Sequence, residues 1–189
     1  MTHDGVPLAV EFDFSARGGK LAGSFTSRSQ RVLEYPFDAV RLEAGHVLID
    51  LGEGSVVFTG AANAEDMSGT FKDRELGTGT FTLHRIPLPT LSYTSEAVTF
   101  RNGAVTLSGS LYVPTTPGKH PAIVFLQGSG PEIRWGANRF WSDYFARRGV
   151  AALIYDKRGS GESTGDWKTS TFDDLANDAA AAIALLRAR

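Results

Sequence analysis

Between Val10 and Arg85 apolar and polar residues alternate with a period of two: Val10, Phe12 and Phe14 are interleaved with charged positions, and Val47, Ile49 and Leu51 repeat the pattern. That period marks strands buried on one face and wetted on the other. Clusters of Gly with Asp or Asn, at Arg17–Lys20, Glu43–Gly45, Gly52–Gly54 and Asn63–Asp66, interrupt the runs at short intervals. The segment therefore predicts a meander of about seven short antiparallel strands, forming a small barrel or a sandwich. A Gly-Ser/Thr-Phe unit recurs at Gly23-Ser24-Phe25, Gly69-Thr70-Phe71 and Gly79-Thr80-Phe81. Its rings are expected to fill the core, and its glycines to permit close approach or a bulge.

At Ile86-Pro87-Leu88-Pro89 two prolines end this pattern, and strands interleaved with helical stretches follow. The chain is thus expected to comprise a β-rich domain over 1–89 and a second domain over 90–189. The second opens with Ala97–Phe100 and Val105–Val113 around Asn102-Gly103, a strong two-residue hairpin signal. Ala122–Leu126 is an apolar run too short for a helix, as expected of a strand covered on both faces in a parallel sheet, and it feeds the loop Gln127–Pro131. A helix is expected over Asn138–Gly149, with Asn138 as cap and Trp141, Tyr144, Phe145 and Arg148 sharing a packed face. Val150–Tyr155 reads as a second buried strand, with the polar, Gly-rich loop Asp156–Ser163 at its end. Thr171 caps a further helix, which carries Phe172, Leu175, Ala179, Ile183 and Leu186 at helical spacing.

Composition narrows the classes of function. Nineteen basic against 21 acidic residues leave a net charge of −2, with no basic run that would make a footprint for nucleic acid. There is no cysteine, which removes disulfides, thiolate metal sites and a cysteine nucleophile. His3, His46, His84 and His120 show no ligand spacing, so no metal is expected. Neither Gly128-Ser129-Gly130 nor Gly159-Ser160-Gly161 completes a phosphate-cradling motif, so no nucleotide cofactor is expected either. The amino terminus lacks a basic and apolar leader, and no apolar stretch is long enough to span a bilayer. As written the chain reads as cytoplasmic and without membrane contact; a start lying further upstream would leave export open.

Pro121–Pro131 and Gly149–Ser163, together with Gly23–Phe25, Ser29, Gln30, Pro36 and Gly79–Arg85 in the front part, resemble bacterial α/β-hydrolases of the serine esterase and acyl-peptidase-like kind that carry a small β-rich domain ahead of the catalytic one. The resemblance implies the first half of a doubly wound, mostly parallel sheet. It also makes Gln127, Gly128 and Ser129 the oxyanion loop, with Gln127 where many relatives carry His. Acyl transfer develops negative charge on a carbonyl oxygen, and a preset backbone N–H stabilises it by about 3 kcal/mol; the Ser129 N–H is the expected donor.

Gly161-Glu162-Ser163-Thr164-Gly165 matches the Gly-x-Ser-x-Gly pattern of a nucleophile elbow, but an elbow serine sits directly between a strand and a helix, and the acid and His should follow it in the chain. Here no helix is expected until about Thr171 and the last His is His120. The resemblance therefore implies that nucleophile, acid and His lie beyond Arg189, making this chain an inactive front portion of an enzyme acting on a small ester or amide. The alternative is a non-catalytic binding or scaffold protein that uses its β domain.

Overall fold

The computed structural model describes residues 1–189, the side chain of Arg17 excepted. It divides into two compact units, Met1–Pro89 and Thr90–Arg189. The first contains β1 (Thr2–His3), β2 (Val6–Pro7), β3 (Glu11–Arg17), β4 (Lys20–Ser27), β5 (Val32–Pro36), β6 (Ala39–Glu43), β7 (His46–Leu51), β8 (Val56–Ala62), β9 (Asp66–Asp73) and β10 (Gly77–His84).

A barrel is not what these strands build. They form an open seven-stranded sheet, ordered β2-β1-β10-β9-β8-β7-β6, and a separate three-stranded sheet, β3-β4-β5. After Pro36 the chain turns a corner between the sheets, with the Phe37 N–H bonded to Gly23 O and the Asp38 N–H to Asp50 O. On the other side β3 pairs only with β4, and β1 meets β10 at a single register, Thr2↔Thr80, so no ladder joins β3 to β10. Eight strands stand where about seven are expected, and Asp4-Gly5, both at positive φ, fold the residues ahead of Val10 into two further short strands.

The core of this unit holds Phe25, Phe58, Phe71 and Phe81 with Val47 and Ile49. Burying each such side chain stabilises the fold by roughly 1.5–3 kcal/mol. The Gly-Thr-Phe repeat has a register reason: β9 and β10 place Gly79 opposite Phe71 and Gly69 opposite Phe81. A Cβ on Gly79 would stand 2.4 Å from the Phe71 ring, so that phenyl takes the room its cross-strand glycine leaves, whereas a Cβ on Gly69 would meet the β8 backbone at Thr59 O, 2.1 Å away.

The second unit contains β11 (Tyr93–Asn102), β12 (Val105–Pro114), β13 (Ala122–Val124), α1 (Ala137–Ala146), β14 (Ala151–Tyr155) and α2 (Phe172–Arg187) in a sheet ordered β11-β12-β14-β13. Its pairings are antiparallel for β11/β12 and β12/β14 and parallel only for β13/β14, so among these strands it is mixed rather than mostly parallel. β14 is buried along its whole length. Leu153 and Tyr155 pack with Leu107, Ala182, Leu185 and Leu186 on the α2 side, while Ala152 and Ile154 pack with Tyr112 and Ala146 on the α1 side. Helices thus cover both faces of the sheet.

Four local expectations shift. The hairpin turn is Gly103-Ala104, because Asn102 pairs with Val105; Gly103 takes φ 57. The apolar run at 122–126 is strand only to Val124, and Leu126 is exposed. α1 starts at Ala137 behind Gly136, with no side-chain cap. Along α2, Asp178 and Ala182 are buried while Phe172 and Ile183 are exposed. The ion pair between Asp178 and Arg158 rotates the helix away from the purely apolar stripe.

Candidate active site

β13 and β14 run parallel, so both deliver their following loops to the same edge of the sheet, where open α/β sheets place their sites. Phe125 extends the ladder by donating to Leu153 O at 2.9 Å. The Gln127 amide then donates to Tyr155 O, tying the first loop to the end of β14.

The second loop begins with Asp156 and Lys157, both buried. Lys157 Nζ donates to Gly128 O at 2.8 Å and to Gly130 O at 3.2 Å, with its own N–H on Glu132 O at 3.0 Å. One ammonium therefore holds two carbonyls of the Gly128–Gly130 turn. In a trans peptide the N–H points opposite to the C=O. Fixing Gly128 O towards Lys157 turns the Ser129 N–H away from it, and among the described residues that N–H has no partner. Gly130 at φ 89 makes the turn possible.

Around this turn lies a buried polar network. Asp156 Oδ1 accepts from the Arg134 N–H at 2.8 Å and Oδ2 from the Glu162 N–H at 3.0 Å. The Arg134 guanidinium donates to Ser108 Oγ at 2.7 Å, approaches Asp156 Oδ2 at 3.7 Å and pairs with Glu162. Hydrogen bonds from Arg134 and then Ser108 hold the Glu162 carboxyl below the ordinary range. A Cβ at Gly161 would meet Asp156 Oδ2 at 2.5 Å, so only glycine lets the loop fold over that carboxylate.

Ser163 is buried in this network: its Oγ donates to Asp156 O at 2.7 Å and accepts from the Ser108 N–H at 3.0 Å. No histidine contacts it among the described residues; His120 Nε2 lies against Thr116 O, and His84 forms a cross-strand pair with Asp66. Ser163 is thus a structural hydroxyl. Among the described residues no cluster of three His, Cys, Asp or Glu gathers as a metal site, and no helix is long and apolar enough to cross a membrane.

The structure places Gln127 half-buried, and Gly128 and Ser129 exposed, along one turn. The sequence reading did not single out Lys157, Arg134 or Asp156 as parts of the site. The only signal for Lys157 is a cationic residue two steps past the end of a fully buried strand.

Residues 102–188, which include both loops, match the family model described as X-Pro dipeptidyl-peptidase (S15 family). No curated protein matches the chain. Among solved structures, a hypothetical protein from Pseudomonas aeruginosa is 28% identical over 53% of this chain and 32% of that one, with a TM-score of 0.46. The aligned part is thus about a third of that protein. The family match supports a hydrolase of the serine peptidase or esterase kind.

Proposed function

We propose that the second unit is the front half of an α/β-hydrolase catalytic domain and that the protein transfers an acyl group from an ester or amide to water. The observation that carries this reading is the Lys157 ammonium on Gly128 O and Gly130 O, which presents the unpartnered Ser129 N–H outward. In the proposed reaction a serine nucleophile attacks the substrate carbonyl, the carbonyl oxygen takes up negative charge against the Ser129 N–H, and the leaving group departs with a proton. Water then attacks the acyl-serine carbonyl, the acyl–Oγ bond breaks, the carboxylic acid leaves and the serine hydroxyl is regenerated. Gln127 and Lys157 are positioning residues that hold the turn. Because the described residues bring no Ser, His and carboxylate together as a triad, the reading takes all three from residues other than these. The family's name favours a peptide amide following proline as substrate.

The protein expressed from its natural gene should be treated with a fluorophosphonate and the modified serine mapped. Labelling at a serine other than Ser129 or Ser163 is expected. Ser129→Ala should label at nearly the parental rate, since it keeps the N–H. Ser129→Pro, folded by its melting curve, should label about a hundredfold more slowly. Labelling at Ser163, no labelling, or a folded proline variant that labels at the parental rate would each overturn the reading.

A further inference from the structure

Within the first unit lies a cleft of about 580 Å³, walled by Val10–Phe14 of β3 and its approach on one side and by Thr82–Arg85 of β10 on the other, with Met67, Ile86 and Leu88 also lining it. It lies where β3 and β10 share no ladder, beside the Phe12 ring that stacks on Phe81 at 6.2 Å.

Both walls are strand edges, and their polar groups can be assigned. Along a strand the N–H and C=O of one residue point to one side and those of the next to the other. Gly23 O accepts from the Phe37 N–H, so Gly23 faces away from β3, whereas Ser24 and Thr26 face it. Their register partners Asp13 and Glu11 then use their peptide groups in the β3/β4 ladder, and Phe12 and Phe14 turn theirs to the side where β3 has no neighbour. On β10, the Arg85 N–H donates to Glu65 O at 2.8 Å, so Arg85 and Leu83 face β9. Thr82 and His84 face the other way, and β1 covers β10 only at Thr80. Two sets of free donors and acceptors, both spaced at the strand repeat, therefore line one cleft.

We propose that this cleft binds an extended peptide, inserted as a strand between β3 and β10, with apolar residues alternating with Lys or Arg over about five positions. A chain of alternating N–H and C=O groups at the same repeat is the chemistry that matches both edges at once. The charge pattern selects the basic side chains. Of the four carboxylates lining the cleft, Glu11, Asp13, Glu65 and Asp66, Asp66 is met by His84 Nδ1 at 2.6 Å and Glu11 by Arg28 at 3.4 Å. Arg85 Nε is bonded to Ala64 O at 2.7 Å. Asp13 has no cation against it among the described residues. Burial first, then the charges of Glu34 and Glu11, raise its pKa, a penalty that an arriving ammonium relieves. The apolar positions of the peptide would lie against Phe12, Met67 and Leu83. The inference stands apart from the hydrolase reading, since a scaffold protein would carry the same cleft.

The test titrates the whole chain with a capped, fluorescent hexapeptide of alternating valine and lysine, reading anisotropy and amide hydrogen exchange. Saturable binding is expected, with new protection at the amides of Phe12, Phe14, Thr82 and His84 and none at Asp13 or Leu83. A valine–glutamate hexapeptide, and a valine–lysine one N-methylated at alternate residues, should each bind about tenfold or more weakly. Thr82→Pro deletes only an outward N–H and should weaken binding about tenfold, with its melting temperature checked against the parent. Asp13→Asn should weaken the lysine peptide severalfold without altering the fold. Failure to bind at millimolar peptide, equal affinity for the glutamate peptide, protection on one edge only, or unchanged affinity in both folded variants would overturn the proposal.

Discussion

Asp178 carries the most severe single-residue prediction. Its carboxylate is 1% exposed and grips the 7%-exposed Arg158 in two parallel bonds, Nε to Oδ2 and Nη2 to Oδ1, each 2.7 Å, while Asn102 Nδ2 adds a third at 2.8 Å. Three pieces of chain distant in sequence meet there: the hairpin end, the loop after β14, and α2. The bond from Asp178 is also the main reason the Arg158 pKa lies above its usual value. Asp178→Ala leaves a buried guanidinium without its main counter-charge, a situation that costs about 3–5 kcal/mol. Arg158 would keep Ser170 Oγ at 3.2 Å, Asp174 O at 3.1 Å and the Asp174 carboxylate at 3.6 Å. The expected loss is therefore near the lower bound, about 3 kcal/mol. Urea unfolding followed by tryptophan fluorescence measures it cleanly, because Trp135, Trp141 and Trp167 all belong to the second unit. The double variant Arg158→Met with Asp178→Leu removes the stranded charge and should return to within about 1 kcal/mol of the parent. A loss below about 1 kcal/mol in Asp178→Ala, or a double variant no better than the single one, would refute the reasoning.

Gly161→Ala combines φ 53 with a Cβ at 2.5 Å from Asp156 Oδ2. It should cost about 2 kcal/mol, against about 1 for Gly103→Ala, where φ is 57 but space is open, as paired urea curves would show. Burial, then the charge of Asp178, pushes the Tyr155 phenol up to about 12, with Arg158 opposing. Folding favours the neutral phenol, so this contribution is complete below pH 10 and is lost as pH rises towards 12; it amounts to at most about 2–3 kcal/mol. Tyr155→Phe should flatten the stability profile across that window. Thr171 and Asp174 form a reciprocal capping box at the start of α2, so Thr171→Ala should lower stability by about 1 kcal/mol while Thr171→Ser restores it.

What could be read from the chain was local. The alternation of Phe12 and Phe14, or of Val47 and Ile49, needs only neighbours to be recognised, and so does the Thr171 cap. Whether β3 meets β10 depends on residues some seventy positions apart, and the same alternation suits an open sheet and a closed one. The 122–126 run looks uniform by hydropathy, yet β14 offers pairing only as far as Phe125, which leaves Leu126 exposed. At the proposed site, Gln127–Ser129 rest on resemblance to relatives. Lys157 was not legible, because its role is a contact 29 and 27 residues back along the chain to two carbonyls that any sequence would supply. The rotation of α2 escaped because an apolar stripe was sought where a buried charge pair decides.

The facing of Gly79 with Phe71 also governs how this unit can vary over generations. A methyl at Gly79 is blocked while the ring of Phe71 stands there, and shrinking Phe71 alone opens a hole in the core. Removing the ring would still leave Thr2 O 2.5 Å from the same Cβ, so the glycine is held by two neighbours at once. Homologous domains should keep glycine at this position, most strictly where the facing strand carries an aromatic.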